Sequence, residues 1–201
     1  YLRDGVLGKR PETPKEGDAV FSHTRNHLLA SAHVSLEAAA AFCQSHGVLP
    51  VSLGDTVMGE AHDVALMQAS IAREIFLYDR PFKKPVALLS GGECTVTIPQ
   101  GVNGRGGRCS EFLLSLFSAT EDLPNLAGLA ADTDGIDGSE KNAGAWFSGD
   151  IRKTSQSRGL VPETFLVAHD CYGFFAQLGA LVETGPTLTN VNDFRIILLN
   201  K

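Results

Sequence analysis

VALLSGGECTVTIPQGVNGRGGRCSEFLLSLFSA, residues 86–119, runs through an apolar stretch, a glycine pair, a second alternating stretch, a loop dense in glycine and arginine, and an apolar stretch with helical spacing. VALLSGGE and CTVTIPQ read as two strands parted by a glycine break, and CSEFLLSLFSA reads as a helix. The loop between them leads from a strand into a helix N-terminus, where backbone amides converge and favour an anion. Arg105 and Arg108 add planar, permanently charged forks that can each grip a carboxylate or phosphate with two hydrogen bonds. The plainer alternative is a loop whose arginines face water. Neither GxxxxGK[ST] nor GxGxxG spacing occurs there, so the stretch is not a P-loop or a dinucleotide fingerprint.

Downstream, LAGLAAD is a strand, and DTDGIDG carries Asp132, Asp134 and Asp137 at its end. Open α/β sheets bind ligands at the C-terminal edge of strands, and oxygen-only donors suit Mg²⁺; Asx turns explain the same letters without a metal. TGPTLTNVND, with Asn190, Asn192 and Asp193, precedes the closing strand FRIILLN, and these too read as ligand groups or as turn residues. AGAWF and DIRKTSQSRG read as helical, and CYGFFAQLG as a short helix with Asp170 at its N-cap. His169, next to Asp170 in sequence, is not thereby its partner. Phe165, Phe174, Phe175 and Trp146 are expected in the core.

Upstream, HLLASAHV reads as a strand and SLEAAAAFCQSHG as a helix closed by Gly47. LPVSLGD is a further strand, and Val64, Met67, Ile71 and Ile75 mark an amphipathic helix from Gly59 to Ile75. Two strand–helix pairs in succession suggest a parallel, doubly wound layer. YDRPFKKP, residues 78–85, combines two prolines with a charge cluster and is the expected linker. The expected division is 1–84 and 85–201, an α/β architecture with the end of a Rossmann-like parallel sheet followed by a compact α/β domain with its own sheet. The chain opens without methionine on YLRDGVLGKR, which reads as the tail of a helix and suggests the second part of a longer polypeptide.

Composition removes several classes of function. The 201 residues are 43% hydrophobic and 20% charged, with 17 basic against 23 acidic side chains, a globular balance without a basic field for nucleic acid. No run approaches the ~20 apolar residues of a membrane span. Cys43, Cys94, Cys109 and Cys171 form no CxxC pair, which fits reduced thiols and a cytoplasmic location.

LLSGGECTVTI, NGRGGRCSEF, TDGIDG, NAGA and TGPTLTNVND, in this order, resemble the MOFRL domain of the glycerate 2-kinase family, whose members are often labelled hydroxypyruvate reductases. SAHVSLEAAAAFCQSHG and GEAHDVALMQASIAREI resemble the end of the larger, Rossmann-like domain of the same family. The resemblance implies ATP-dependent, Mg²⁺-assisted phosphorylation of D-glycerate to 2-phosphoglycerate in a cleft between two domains. Within it, Arg105 and Arg108 would neutralise the glycerate carboxylate or the phosphoryl group. Glu93, Asp134 and Asp137 would hold the metal or receive the hydroxyl proton. Gly91, Gly92, Asn103, Gly104, Gly106, Gly107, Thr133, Asn190, Asn192 and Asp193 would line the substrate site.

This chain departs from the family pattern at Cys109–Ser110 (commonly Asn-Gln), His169–Asp170–Cys171 (commonly Asn-Asp-Ser) and Asp132 (commonly Gly). It also lacks the family's earlier glycine-rich and lysine-bearing elements, so the missing N-terminal part of its own chain is an expected partner, with a homodimer open. An NAD(P)H-dependent hydroxypyruvate reductase and a non-catalytic anion-binding module are the competing readings.

Overall fold

The computed structural model describes residues 1–200. After a short N-terminal helix α1 (Leu2–Val6) and a single 3₁₀ turn (Ala19–Phe21), the chain forms α2 (Ala32–Ser45), β1 (Leu49–Ser52), β2 (Val57–Glu60), α3 (Ala61–Tyr78) and β3 (Val86–Thr95). It continues through α4 (Arg108–Ala119), β4 (Leu126–Asp132), β5 (Gly144–Phe147), α5 (Gly149–Ser157), α6 (Pro162–Val167), α7 (Cys171–Gln177), β6 (Leu181–Val182) and β7 (Asp193–Leu199).

All seven strands join one mixed sheet in the order β1-β3-β7-β4-β5-β6, with β2 also on β3. β1 and β2 run parallel to β3, pairing with its first and last residues in turn, while β7 lies antiparallel between β3 and β4. Strands on both sides of residues 84/85 thus share hydrogen bonds. The C-terminal portion has no separate sheet, and the layer is not purely parallel.

Strand alternation assigns the faces. Val86 and Leu88 of β3 and Ile197 and Leu199 of β7 point to the main core, where α3, α4 and Phe174 and Phe175 of α7 pack. Ala87 and Leu89, with Phe194, Ile196 and Leu198, meet Leu36 and Cys43 of α2 on the opposite face. The period of two puts successive side chains on opposite faces, so both faces of β3 are apolar because both are covered. Helix α4 sits in the middle of the main core, buried continuously from Cys109 to Phe117. Phe117, Phe147 and Phe174 meet there edge to face.

Several local expectations change. HLLASAHV is not a strand: Ser31 caps α2 by accepting from Val34 N at 3.3 Å, and the alanine-rich run that follows propagates the helix. AGAWF is strand β5, not helix; its small residues allow close pairing with β4, where a methyl on Gly144 would collide with the Ala130 carbonyl. The glycine break in SGGE is no break. β3 runs through it, and Gly92, at φ +108°, lets the Val57 backbone approach within the space a side chain would need. Among the described residues no helix is long and apolar enough to cross a membrane, and all four cysteines are free and buried.

Candidate functional site

The C-terminal ends of β3 and β4 and the start of β7 lie side by side, because β7 runs antiparallel between the other two. That register sets Gly92 opposite Asp193 on one side and Asp132 opposite Asp193 on the other. The loop from β3 delivers Arg108 to the same edge at the first turn of α4.

Arg108 is surrounded by carboxylates. Its Nε donates to Asp193 Oδ1 at 2.8 Å and its Nη2 to Asp132 Oδ2 at 2.6 Å, with Glu93 Oε1 at 3.4 Å. Asp193 Oδ2 in turn accepts from Arg195 Nη2, whose guanidinium also reaches the Gly91 carbonyl at 3.2 Å and Cys94 Sγ at 3.1 Å. Asp193 and Arg195 are fully buried, so Asp193 bridges two arginines away from water. Arg108 does hold carboxylates through its fork, but they are the protein's own.

Arg105 is placed differently. It is half-exposed and donates from Nε and Nη2 to both oxygens of Asp170, each at 3.1 Å, while its guanidinium lies 5.3 Å from the Tyr172 ring centre. Asp170 also caps α7 by accepting from Gly173 N. This is the two-point geometry that a ligand carboxylate would use, presented at the surface.

The loop glycines are needed by the protein's own backbone. Side chains on Gly104, Gly107 and Gly138 would collide with His169, Asp137 and Gly106, respectively. Gly106 N donates to Ser139 Oγ at 3.2 Å, and Ser139 N returns a bond to the Gly106 carbonyl. Asn103 stays exposed at the entrance.

Asp134 and Asp137, expected together on a metal, are given separate tasks. Asp137 is buried and accepts from Cys109 N at 2.9 Å, from Ser110 N at 2.8 Å and from Ser110 Oγ, so it caps the start of α4. Burial pushes its carboxyl above the ordinary range, against the pull of these bonds. Asp134 closes an Asx turn onto Ile136 N and lies 3.4 Å from Asn190 Nδ2. Thr133 and Asn190 are likewise spent on the turn: Thr133 Oγ1 donates to the Asn192 carbonyl and accepts from Val191 N, and Asn190 Oδ1 accepts from Asn192 N. Asn192 itself adopts φ +66°. Among the described residues no group of three or more Asp, Glu, His or Cys side chains is arranged to hold a metal ion. Around Arg108 a guanidinium occupies the centre of the acidic set, so these residues alone do not fit Mg²⁺.

Residues 86–193 match the MOFRL family. The chain belongs to the MOFRL family. A glycerate 2-kinase of Pyrococcus horikoshii is 38% identical over 199 residues, which cover 99% of this chain and 44% of that protein. A D-glycerate 2-kinase of Thermotoga maritima is 36% identical over 188 residues, 94% of this chain and 44% of that one. A protein of Agrobacterium vitis provisionally named hydroxypyruvate reductase is 44% identical over 194 residues, 96% and 44% of the two chains. The crystal structure of the Thermotoga maritima glycerate kinase matches with a TM-score of 0.82 at 35% identity, over 89% of this chain and 42% of that one. The chain therefore spans less than half the length of these relatives.

In this MOFRL chain the site also takes in Asp132, already noted among the acidic residues of DTDGIDG, Asp170, expected only as a helix cap, and Arg195, which the sequence reading did not single out. Arg195 had a readable signal, since it breaks the apolar strand FRIILLN two positions after Asp193 and so shares its face. Asp132 yields a pH prediction. Burial pushes its carboxyl up to about 6, so between pH ~4 and that value the unfolded chain has released a proton that the folded chain still holds. Stability contributed by this group falls as pH rises through that window and levels off above it. Urea titrations at several pH values should show Asp132→Asn gaining on the wild type from pH 4 to 6. A constant difference would place Asp132 in ordinary solvent.

Proposed function

We propose that the chain carries part of the substrate site of a phosphotransferase acting on a small hydroxy acid, with D-glycerate as acceptor and ATP as donor. The observation that supports it is Arg105, an exposed two-point carboxylate grip on the glycine-rich loop. A substrate carboxylate exchanging with Asp170 would be held without rebuilding the loop. Arg108, tied into Asp132 and Asp193, stiffens the α4 N-terminus beneath it and leaves Glu93 partly exposed toward the edge.

Phosphoryl transfer needs positioning and charge neutralisation more than covalent help, and an arginine grip supplies both. Mg²⁺ is proposed to arrive bound to the nucleotide phosphates. The nucleotide site is proposed to involve the part of such proteins that lies outside this match. Coupled assays on the whole encoded protein should show D-glycerate-dependent ADP formation. Hydroxypyruvate-dependent NADH oxidation without ADP formation would favour the reductase reading instead.

A further inference from the structure

The far end of α4 carries a second polar pocket. From the Arg108 cluster the helix runs to a cavity of about 220 Å³ beside its last turn, α5 and the start of α6, roughly 17 Å away at 1.5 Å per residue. Arg152 of α5 lines that cavity and is only 5% exposed. Its Nη1 donates to the Phe117 carbonyl at 2.7 Å and its Nη2 to Thr120 Oγ1 at 2.6 Å, which closes the C-terminus of α4. The ring centres of Phe117 and Phe147 lie 4.4 and 4.7 Å from its guanidinium carbon. A guanidinium carries more N–H groups than these two acceptors use, and Nε is buried without one. Unlike Arg108 and Arg195, this cation has no carboxylate paired directly with it among the described residues. Burial pushes its pKa down to about 10, with Glu121 and then Asp122 pulling the other way from a distance, so it stays charged at neutral pH. A buried charge without a counter-ion is costly, and an anion docking beside it relieves that cost.

The rest of the lining carries the opposite sign. Glu121 and Glu163 are exposed along the cavity, and Ser118 Oγ donates to Glu163 Oε1 and holds it there. Two exposed carboxylates repel phosphates and dicarboxylates, yet they offer acceptors to an ammonium group. Leu160 and Val161 add an apolar side. The volume lies below the roughly 300–1,000 Å³ of a drug-sized site, so the occupant is small. We infer that this pocket binds a free α-amino acid with a short apolar side chain, its carboxylate on Arg152 and its ammonium on Glu163 and Glu121. The site shares no residue with the glycine-rich loop or with the Arg105–Asp170 pair, and it stands apart from the phosphotransferase reading.

The test is titration calorimetry of the whole encoded protein with L-valine as the probe. Saturable binding is expected. Isovalerate, which lacks the ammonium, should bind at least about threefold more weakly, and isobutylamine, which lacks the carboxylate, at least about 10-fold more weakly. Arg152→Met should lower the affinity for L-valine by about 10-fold or more. Glu163→Gln should lower it about threefold and leave isovalerate unchanged. If Arg152→Met does not fold, Val161→Trp, which fills the cavity from a wall residue that is 52% exposed, carries the same comparison. No binding of L-valine, equal affinity for isovalerate, unchanged affinity in the folded pocket variants, or binding of inorganic phosphate that depends on Arg152 overturns the proposal. Turnover of D-glycerate plays no part in this readout, so failure here and failure of the phosphotransferase reading are told apart.

Discussion

Asp193→Ala is expected to destabilise the fold by about 3–5 kcal/mol, the range for removing one partner of a buried charge pair. The carboxylate is fully buried and is shared between Arg108 and Arg195. Its removal leaves Arg195, 1% exposed, with a carbonyl and a thiol as its remaining partners. Arg195 Nε already lacks one. Asp193→Asn keeps the shape but not the charge and should cost roughly half as much. Urea unfolding of the 201-residue chain measures both, as a fall in midpoint at constant slope. A loss under about 0.5 kcal/mol, the level of surface substitutions, would show that water reaches the network.

Asp137→Ala is expected to cost about 2–4 kcal/mol, because two amides at a buried helix start lose their acceptor together. Cys109 and Ser110 are fully buried, so water cannot replace the carboxylate without opening the loop. The damage should be local first. Amide exchange at Cys109 and Ser110 should accelerate more than in β7, and Gly106 and Gly107, which pack on Asp137 and Gly138, should loosen with it. Equal acceleration everywhere would mean that Asp137 acts on global stability rather than as a cap.

These two carboxylates show what the sequence could and could not convey. α3 was legible because burial of one face leaves a spacing in the letters, whereas α4, β4 and β7 were legible as apolar runs bounded by polar or turn residues. β5 was not, since four small or aromatic residues carry no period and only pairing with β4 makes them a strand. β2, a short strand with two exposed residues, and six-residue α6 gave equally little. The shared sheet was hidden for another reason: the pairing of Leu49–Ser52 with Val86–Leu89 spans a whole helix and a proline-rich turn. At the site, the arginine forks pointed to carboxylates, and carboxylates are what they hold. That Asp170, Asp132 and Asp193 would supply them depended on register and on the placement of α7, which no local motif encodes. Asp137 was read as a possible ligand because its letters fit an acidic loop, whereas its burial makes it a cap.

Arg105 and Arg108 therefore part company, and their lysine variants separate architecture from substrate binding. Arg108→Lys should lower stability through Asp132 and Asp193. Arg105→Lys keeps the charge at an exposed position but loses the two-point grip. The most direct measurement is steady-state kinetics of Arg105→Lys in the whole encoded protein, with D-glycerate and ATP varied separately. The expected result is a fall in kcat/KM for D-glycerate equivalent to about 1.5–3 kcal/mol, with Tm unchanged; wild-type kcat/KM for D-glycerate in that variant would contradict the account.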